Sequence, residues 1–287
     1  MTATIEQAYR VCESITRTQA RNFHYGIRLL PASRRDALCA LYALARRIDD
    51  IGDGDLPTDE KLEALAAVRD SLRDLAASGD PVLVAVGDAA RRYPVPLPAF
   101  AELVDGVEMD VTGRRYDTFD DLVGYCRCVA GTVGRLCLGV FAARPDPKAA
   151  HYADTLGIAL QQTNILRDIR EDLRNGRVYL PQRELDAFGV ELALDEHGAL
   201  VDKDGGLAAI VVASAARARR WYGDGLRLMP LLDRRSAACT GAMAGIYRHL
   251  LNRIAADPEA VYHQRLSLTG WQKARVAAWA LMGRQRA

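Results

Sequence analysis

Almost the whole chain carries apolar residues at intervals of three and four, and convincing alternation at intervals of two is nearly absent. Stripes of that kind are buried by packing helix against helix, so the pattern predicts an all-α fold. Stop signals cut the pattern into segments: "LP" at 30–31, "GDGDLPT" at 52–58, "YPVPLP" at 93–98, "RPDP" at 144–147, "MP" at 229–230 and "DP" at 257–258. The helices expected between them run near 4–20, 33–51, 58–77, 81–91, 97–111, 118–142, 147–174, 181–188, 207–228, 233–256 and 269–284. Residues 189–206 are a long polar interruption that reads as a surface loop, too short to link independent domains. Residues 1–287 are therefore expected to form one domain.

Two of the expected helices end in acids. In "QQTNILRDIREDLRNGRVYLP" (161–181), Gln161, Asn164, Asp168 and Asp172 fall at steps of three, four and four, which stacks an amide pair and two carboxylates on one face. Like charges four apart destabilise an isolated helix by roughly 0.2 to 0.5 kcal/mol, so the spacing calls for cations nearby. "CALYALARRIDDIGDGD" (39–55) repeats the device: Asp49 and Asp53 follow an apolar stripe through Leu41, Tyr42, Ala45 and Ile48. Arg46 and Arg47 precede the first pair; Arg167, Arg170 and Arg174 surround the second.

One reading makes both ends solvated faces, with ordinary pairs from Arg46 to Asp50 and from Arg167 to Glu171. The other sets the two ends face to face as a cage of hard oxygen ligands. Such a cage suits Mg²⁺, which takes one or two carboxylates, retained waters and substrate phosphate oxygens. Arginines would bind the outer oxygens of a diphosphate. If the carbon bearing that diphosphate is allylic, its departure leaves a stabilised carbocation, which an apolar helical barrel with aromatic faces would shield from water.

Composition narrows the alternatives. Lys plus Arg total 38 against 37 for Asp plus Glu, a formal charge of +1, which excludes a general attraction to nucleic acid or to an anionic membrane. The six cysteines show no zinc-type spacing with the five histidines and are expected reduced and buried. The N-terminus has no secretory pattern, and the longest apolar run, residues 207–216, is about half of a bilayer span. The expected location is the cytoplasm. Peripheral contact with the inner membrane is a second reading of the last helix, where Trp271, Trp279 and Leu281 stand among Lys273, Arg275 and Arg284.

Four segments in order, "ARNFHYGIRLLP" (20–31), "LYALARRIDDIGD" (41–53), "YCRCVAGTVG" (125–134) and "NILRDIREDLRNGRVYLP" (164–181), resemble the squalene and phytoene synthases, the head-to-head prenyltransferases. The resemblance covers nearly the whole chain. It implies an isoprenoid-synthase fold around a central cavity, dependence on Mg²⁺ with Mn²⁺ as a substitute, and condensation of two identical prenyl diphosphates. By the same resemblance Asp49 and Asp53 look like the first aspartate-rich motif and Asp168 and Asp172 like the second, with Asn164 beside them as a further metal ligand. Tyr42, Tyr125 and Tyr179 join the four aspartates as catalytic candidates. Phe23, Asn22, Arg46, Gln161, Asn164, Arg167, Arg177, Tyr247 and Arg265 are the substrate-binding candidates, Asn22 standing where the family often has Ser. Phe23, Tyr42, Tyr125 and Tyr179 correspond to aromatic cavity positions. Gly131 and Gly134 read as close helix packing or as room for a polyprenyl tail, two readings that need not conflict.

Within the family, "QARNFHYGIRLLP" and "DRRSAACTGAMAGIYRHLL" look most similar to bacterial presqualene diphosphate synthases. The expected reaction is therefore farnesyl diphosphate to presqualene diphosphate in hopanoid biosynthesis, without NADPH, with a downstream isoprenoid enzyme taking the product. Phytoene synthesis from geranylgeranyl diphosphate is the alternative, bacterial squalene synthesis a third reading, and a non-catalytic helical assembly protein a fourth.

Overall fold

The computed structural model describes residues 4–20, 23–141 and 143–282. The fold is all-α: among these residues there is no β-strand, only isolated bridges between Ala143 and Leu232 and between Leu194 and Leu200. In chain order the helices are α1 (Ile5–Gln19), α2 (Phe23–Ile27), α3 (Ala32–Asp53), α4 (Thr58–Ser71), α5 (Pro81–Arg92), α6 (Pro98–Val111) and α7 (Phe119–Cys126). A π-helical turn (Arg127–Gly131) leads directly into α8 (Thr132–Val140). Then come α9 (Ala149–Arg174), α10 (Gln182–Ala187), α11 (Gly206–Gly225), a 3₁₀ turn (Leu226–Leu231), α12 (Arg234–Ala256), α13 (Ala260–His263) and α14 (Gly270–Leu281).

Starts follow local chemistry. Asp80 accepts from the backbone N–H of Val82 and Leu83 with Pro81 in the first turn of α5, and Asp233 caps α12 through Arg235 and Ser236. Thr118 and Asp121 form a capping box on α7. Each such cap contributes on the order of 1 kcal/mol.

Two helices organise the interior. α3 packs against α1, α4, α5, α6 and α8, and its Leu38, Leu41, Leu44 and Ile48 stand at the centre of one apolar core. α9 packs against α8, α11, α12 and α13 and supplies Ile158, Ile165, Leu166 and Ile169 to a second core. The helix running through the π turn lies beside both. Its backbone approaches α9 so closely that a Cβ at Gly157 would lie 2.2 Å from the carbonyl oxygen of Ala130, and one at Gly134 2.3 Å from that of Ala153. Gly134 thus provides close packing where only glycine fits, and it also lines a cavity between the two cores.

The segment 189–206 is more anchored than a free surface loop. Ala199 and Leu200 are buried, and Asp202 accepts from the N–H groups of Leu207 and Ala208 at the start of α11 and from Tyr262 Oη at 2.7 Å. All six thiols are unbonded to one another; Cys12, Cys39, Cys126 and Cys239 are buried, Cys128 and Cys137 half-buried. No helix among the described residues is long and apolar enough to cross a membrane. On α14, Trp271 is 75% exposed and Arg275 lies over the ring of Trp279 at 5.0 Å; Arg284 falls outside the described residues.

Candidate active site

Between the two cores lies a cavity of about 300 Å³. α3 contributes Leu38, Leu41, Tyr42, Ala45, Arg46 and Asp49 to its wall, and α9 contributes Ala153, Leu156, Gly157, Leu160, Gln161 and Asn164. On each helix this wall spans twelve residues, about 16 Å of axis. The polar groups gather at one end, with Arg46 and Asp49 on α3 and Gln161 and Asn164 on α9; Phe141 and Leu228 belong to the apolar remainder. Phe23, Tyr42 and Tyr247 form an aromatic group on the wall, with ring centres 6.1 Å apart for Phe23 and Tyr42 and 6.4 Å for Phe23 and Tyr247.

The acidic motifs end α3 and α9 near that polar end. α9 stops at Asn175, and Gly176 takes a φ of +74°, which turns the chain so that the N–H of Arg177 donates back to the Asp172 carbonyl at 2.8 Å. The turn delivers Arg177 to the other motif, where its guanidinium donates to Asp53 Oδ1 at 2.9 Å. Asp168 is held from two sides, by Arg167 and by Arg265, whose Nε and Nη2 donate at 2.7 and 3.1 Å. Burial opposes the charge on Asp168, but these hydrogen bonds outweigh it and hold the carboxyl below its usual range.

Asp49 and Asp172 differ. Burial, helped by the neighbouring carboxylates Asp53, Asp50 and Asp110, pushes Asp49 up to about 7 against the pull of Arg46. Burial and Asp168 push Asp172 up to about 8. Each motif thus combines one aspartate neutralised by arginine with one that costs energy to ionise until a cation arrives.

Arg46 does pair with Asp50 on its own helix. The companion pair expected from Arg167 to Glu171 is replaced: Arg167 turns to its neighbour Asp168, and Glu171 is served by Arg170 at 2.9 Å. Asn22 lies outside the described residues. Tyr125 and Tyr179 depart from their expected place. Neither belongs to the cavity wall; they stack 5.0 Å apart in a buried cluster with Tyr116, because both hydroxyls are drawn to Asp110 on α6. Asp110 was not singled out by sequence reasoning. The signal was its register, since it continues the buried stripe of Leu103 and Val107.

The donor set suits a hard divalent cation. Among the described residues no three His, Cys, Asp or Glu side chains converge tightly enough to hold a metal unaided; water and phosphate oxygens would have to complete the shell of a cation bound there. Asn164 donates from Nδ2 to Gln161 Oε1 at 3.1 Å, while its buried Oδ1 accepts nothing. An orphaned amide oxygen four residues before Asp168 is a ready ligand.

The family model described as squalene/phytoene synthase matches residues 16–272. Phytoene synthase from Mycobacterium tuberculosis is 59% identical over 277 residues, covering 96% of this chain and 91% of its own, and phytoene synthase from Arthrospira platensis is 34% identical, covering 94% and 91%. Among solved structures, a dehydrosqualene synthase in complex with ligand superposes with a TM-score of 0.83 at 26% identity, covering 97% of each chain. Squalene synthase HpnC from Alicyclobacillus acidocaldarius gives 0.76 at 28% identity, covering 88% of this chain and 94% of its own. With Asp49 of one acidic motif on the wall of a helical cavity and the other motif ending α9, which lines the same cavity, the chain belongs to the squalene/phytoene synthase family and has the isoprenoid synthase fold. It is a prenyltransferase, of a family that generally uses a divalent metal.

Proposed function

We propose that the chain joins two molecules of geranylgeranyl diphosphate head to head to give phytoene, residues 1–287 working as one domain. The head-to-head chemistry rests on one observation: an apolar cavity whose polar end carries Arg46, Asp49 and Asn164 near both acidic motifs. The choice of the C20 substrate rests on the relatives named phytoene synthase, one of them 59% identical over 96% of the chain. Presqualene diphosphate from the C15 substrate, the product expected from sequence, is the second reading; the named relatives favour it less.

In this reading Asp49, Asp53, Asp168, Asp172 and Asn164 hold Mg²⁺, with Mn²⁺ as a substitute. Bound metal would neutralise diphosphate and make it a better leaving group. Arg46, Arg167, Arg177 and Arg265 bind its outer oxygens, the last three exchanging their carboxylate partners for phosphate. The C1–O bond breaks with its electron pair going to diphosphate, and C1 bonds to the C2=C3 double bond of the second substrate. Loss of a proton closes a cyclopropane. Loss of the second diphosphate, rearrangement and loss of another proton give the triene without a reductant, so NADPH is not required. Phe23, Tyr42 and Tyr247 present ring faces to positive charge while the walls exclude water.

The test is incubation of purified protein with Mg²⁺ and either prenyl diphosphate, without NADPH, and mass spectrometry before and after phosphatase treatment. Phytoene from the C20 substrate is the expected result; presqualene alcohol from the C15 substrate alone would replace this reading with the second.

A further inference from the structure

Asp110 sits in the last turn of α6, where the helix dipole disfavours an acid and no basic residue shares the turn. It nevertheless stands between the motifs, close enough to raise both Asp49 and Asp172 electrostatically. Its two oxygens are divided between two phenols: Oδ2 accepts from Tyr125 Oη at 2.8 Å and Oδ1 from Tyr179 Oη at 2.7 Å. Tyr125 Oη also lies within donating distance of Tyr179 Oη, but at 3.2 Å this contact is longer than either bond to Asp110, and the rings stack at 5.0 Å with 24° between their planes. Tyr116 closes the cluster, 5.4 Å from Tyr125 and 6.2 Å from Tyr179.

A phenol has one proton to donate and lone pairs to accept with. The shorter bonds, 2.8 and 2.7 Å to a carboxylate against 3.2 Å between phenols, draw both protons to Asp110, and each oxygen then offers only lone pairs to anything arriving from the motif side. Such oxygens support a positive charge and cannot protonate a diphosphate. We propose that Asp110 is a positioning residue of the prenyl-transfer site: it fixes Tyr125 and Tyr179 as a stacked pair with both hydroxyl protons turned away from the reacting groups. Asp110 acts through the tyrosines and not as a metal ligand. The proposal rests on the prenyl-transfer reading, and its first test does not require turnover.

Asp110→Asn would leave one accepting oxygen and place an N–H₂ against the other phenol, turning that phenol into an acceptor and freeing its proton. The Raman Fermi doublet of tyrosine distinguishes donating from accepting phenols. Difference spectra between the full-length protein and its Tyr125→Phe and Tyr179→Phe variants should show two donors; taken in the Asp110→Asn background they should show that one has become an acceptor. Two acceptors in the unaltered protein would overturn the proposal even if the enzyme proved inactive on both substrates. In turnover, Asp110→Asn should lower kcat by about ten- to a hundredfold, the scale for losing a group that orients reacting side chains. KM and Mn²⁺ affinity should move by less than about threefold, the signature of an interaction made only in the transition state. Adding Tyr125→Phe and Tyr179→Phe to Asp110→Asn should cost little more than Asp110→Asn alone, since coupled residues are non-additive. Fully additive losses, or a loss of Mn²⁺ affinity equal to the loss of kcat, would overturn it. Should Asp110→Asn fail to fold, the wild-type difference spectra still decide.

Discussion

The acidic ends of α3 and α9 share one spacing and differ in how their charge is held. On α9, Asp168 is gripped by Arg167 from its own helix and by Arg265 from the segment before α14. On α3, Asp53 has no arginine on its own helix and borrows Arg177 from the turn that follows α9. Asp49 and Asp172 have no such grip and are pushed up to about 7 and about 8. The difference shows where the resting protein stores unfavourable charge: at one carboxylate per motif, Asp49 on the cavity wall and Asp172 in the last turn of α9.

The largest expected effect comes from removing the ungripped acids. Asp49→Ala and Asp172→Ala should each lower product formation by about 10³-fold or more, on the scale of losing an electrostatic element of a preorganised site. Asp50→Ala, next to Asp49 but paired only with Arg46, should stay within about tenfold of wild type. Equal losses at Asp49 and Asp50 in steady-state assays would erase the distinction.

Next in size are the arginines. Arg177→Ala removes the ion pair joining the two motifs and should lower kcat/KM by about ten- to a hundredfold, the worth of a charged hydrogen bond of about 1.5 to 3 kcal/mol. Arg265→Ala, at a side chain 58% exposed, should cost less, about fivefold at most. A larger effect at Arg265 would mean that Asp168, not the link between motifs, is the critical charge.

The smallest effect is on metal-free stability. The folded pKa values of about 7 and about 8 lie above the ordinary carboxylate value of 3.8. Between these limits the folded state binds more protons than the unfolded one, so stability from the neutral carboxyls is fully present below about pH 4 and is lost as pH rises through 7 to 8. In chelator, Asp172→Asn should therefore melt within a degree of wild type near pH 4 and higher than wild type by a few degrees at pH 8.5. Mg²⁺ with diphosphate should abolish the advantage. Parallel melting curves across the pH range would contradict the assignment of stored charge.

Much of this arrangement could be read from residues. The starts expected near 81, 97 and 233 fall within one residue of those observed, where Asp80, Pro81, Pro98 and Asp233 supply the local chemistry. α2 and α13, five and four residues long, were missed because they are too short to show a period. The expected helix over 118–142 is broken by a π turn held by tertiary contact, with Val129 against Gly106 and Ala130 against Gly157. The same boundary separates the site residues. The spacing that groups Asp168 with Asp172 is a property of one helix. The link from Arg177 to Asp53 and the capture of Tyr125 and Tyr179 by Asp110 join residues 124, 15 and 69 positions apart, and no local pattern records them.

The most direct test of the central claim is a titration with Mn²⁺ followed by electron paramagnetic resonance, in the presence of inorganic diphosphate. The account predicts that Asp49→Asn and Asp172→Asn each weaken Mn²⁺ binding by about tenfold or more, as expected for losing a ligand, while Asp50→Asn binds like wild type. Unchanged Mn²⁺ binding in both Asp49→Asn and Asp172→Asn would contradict it.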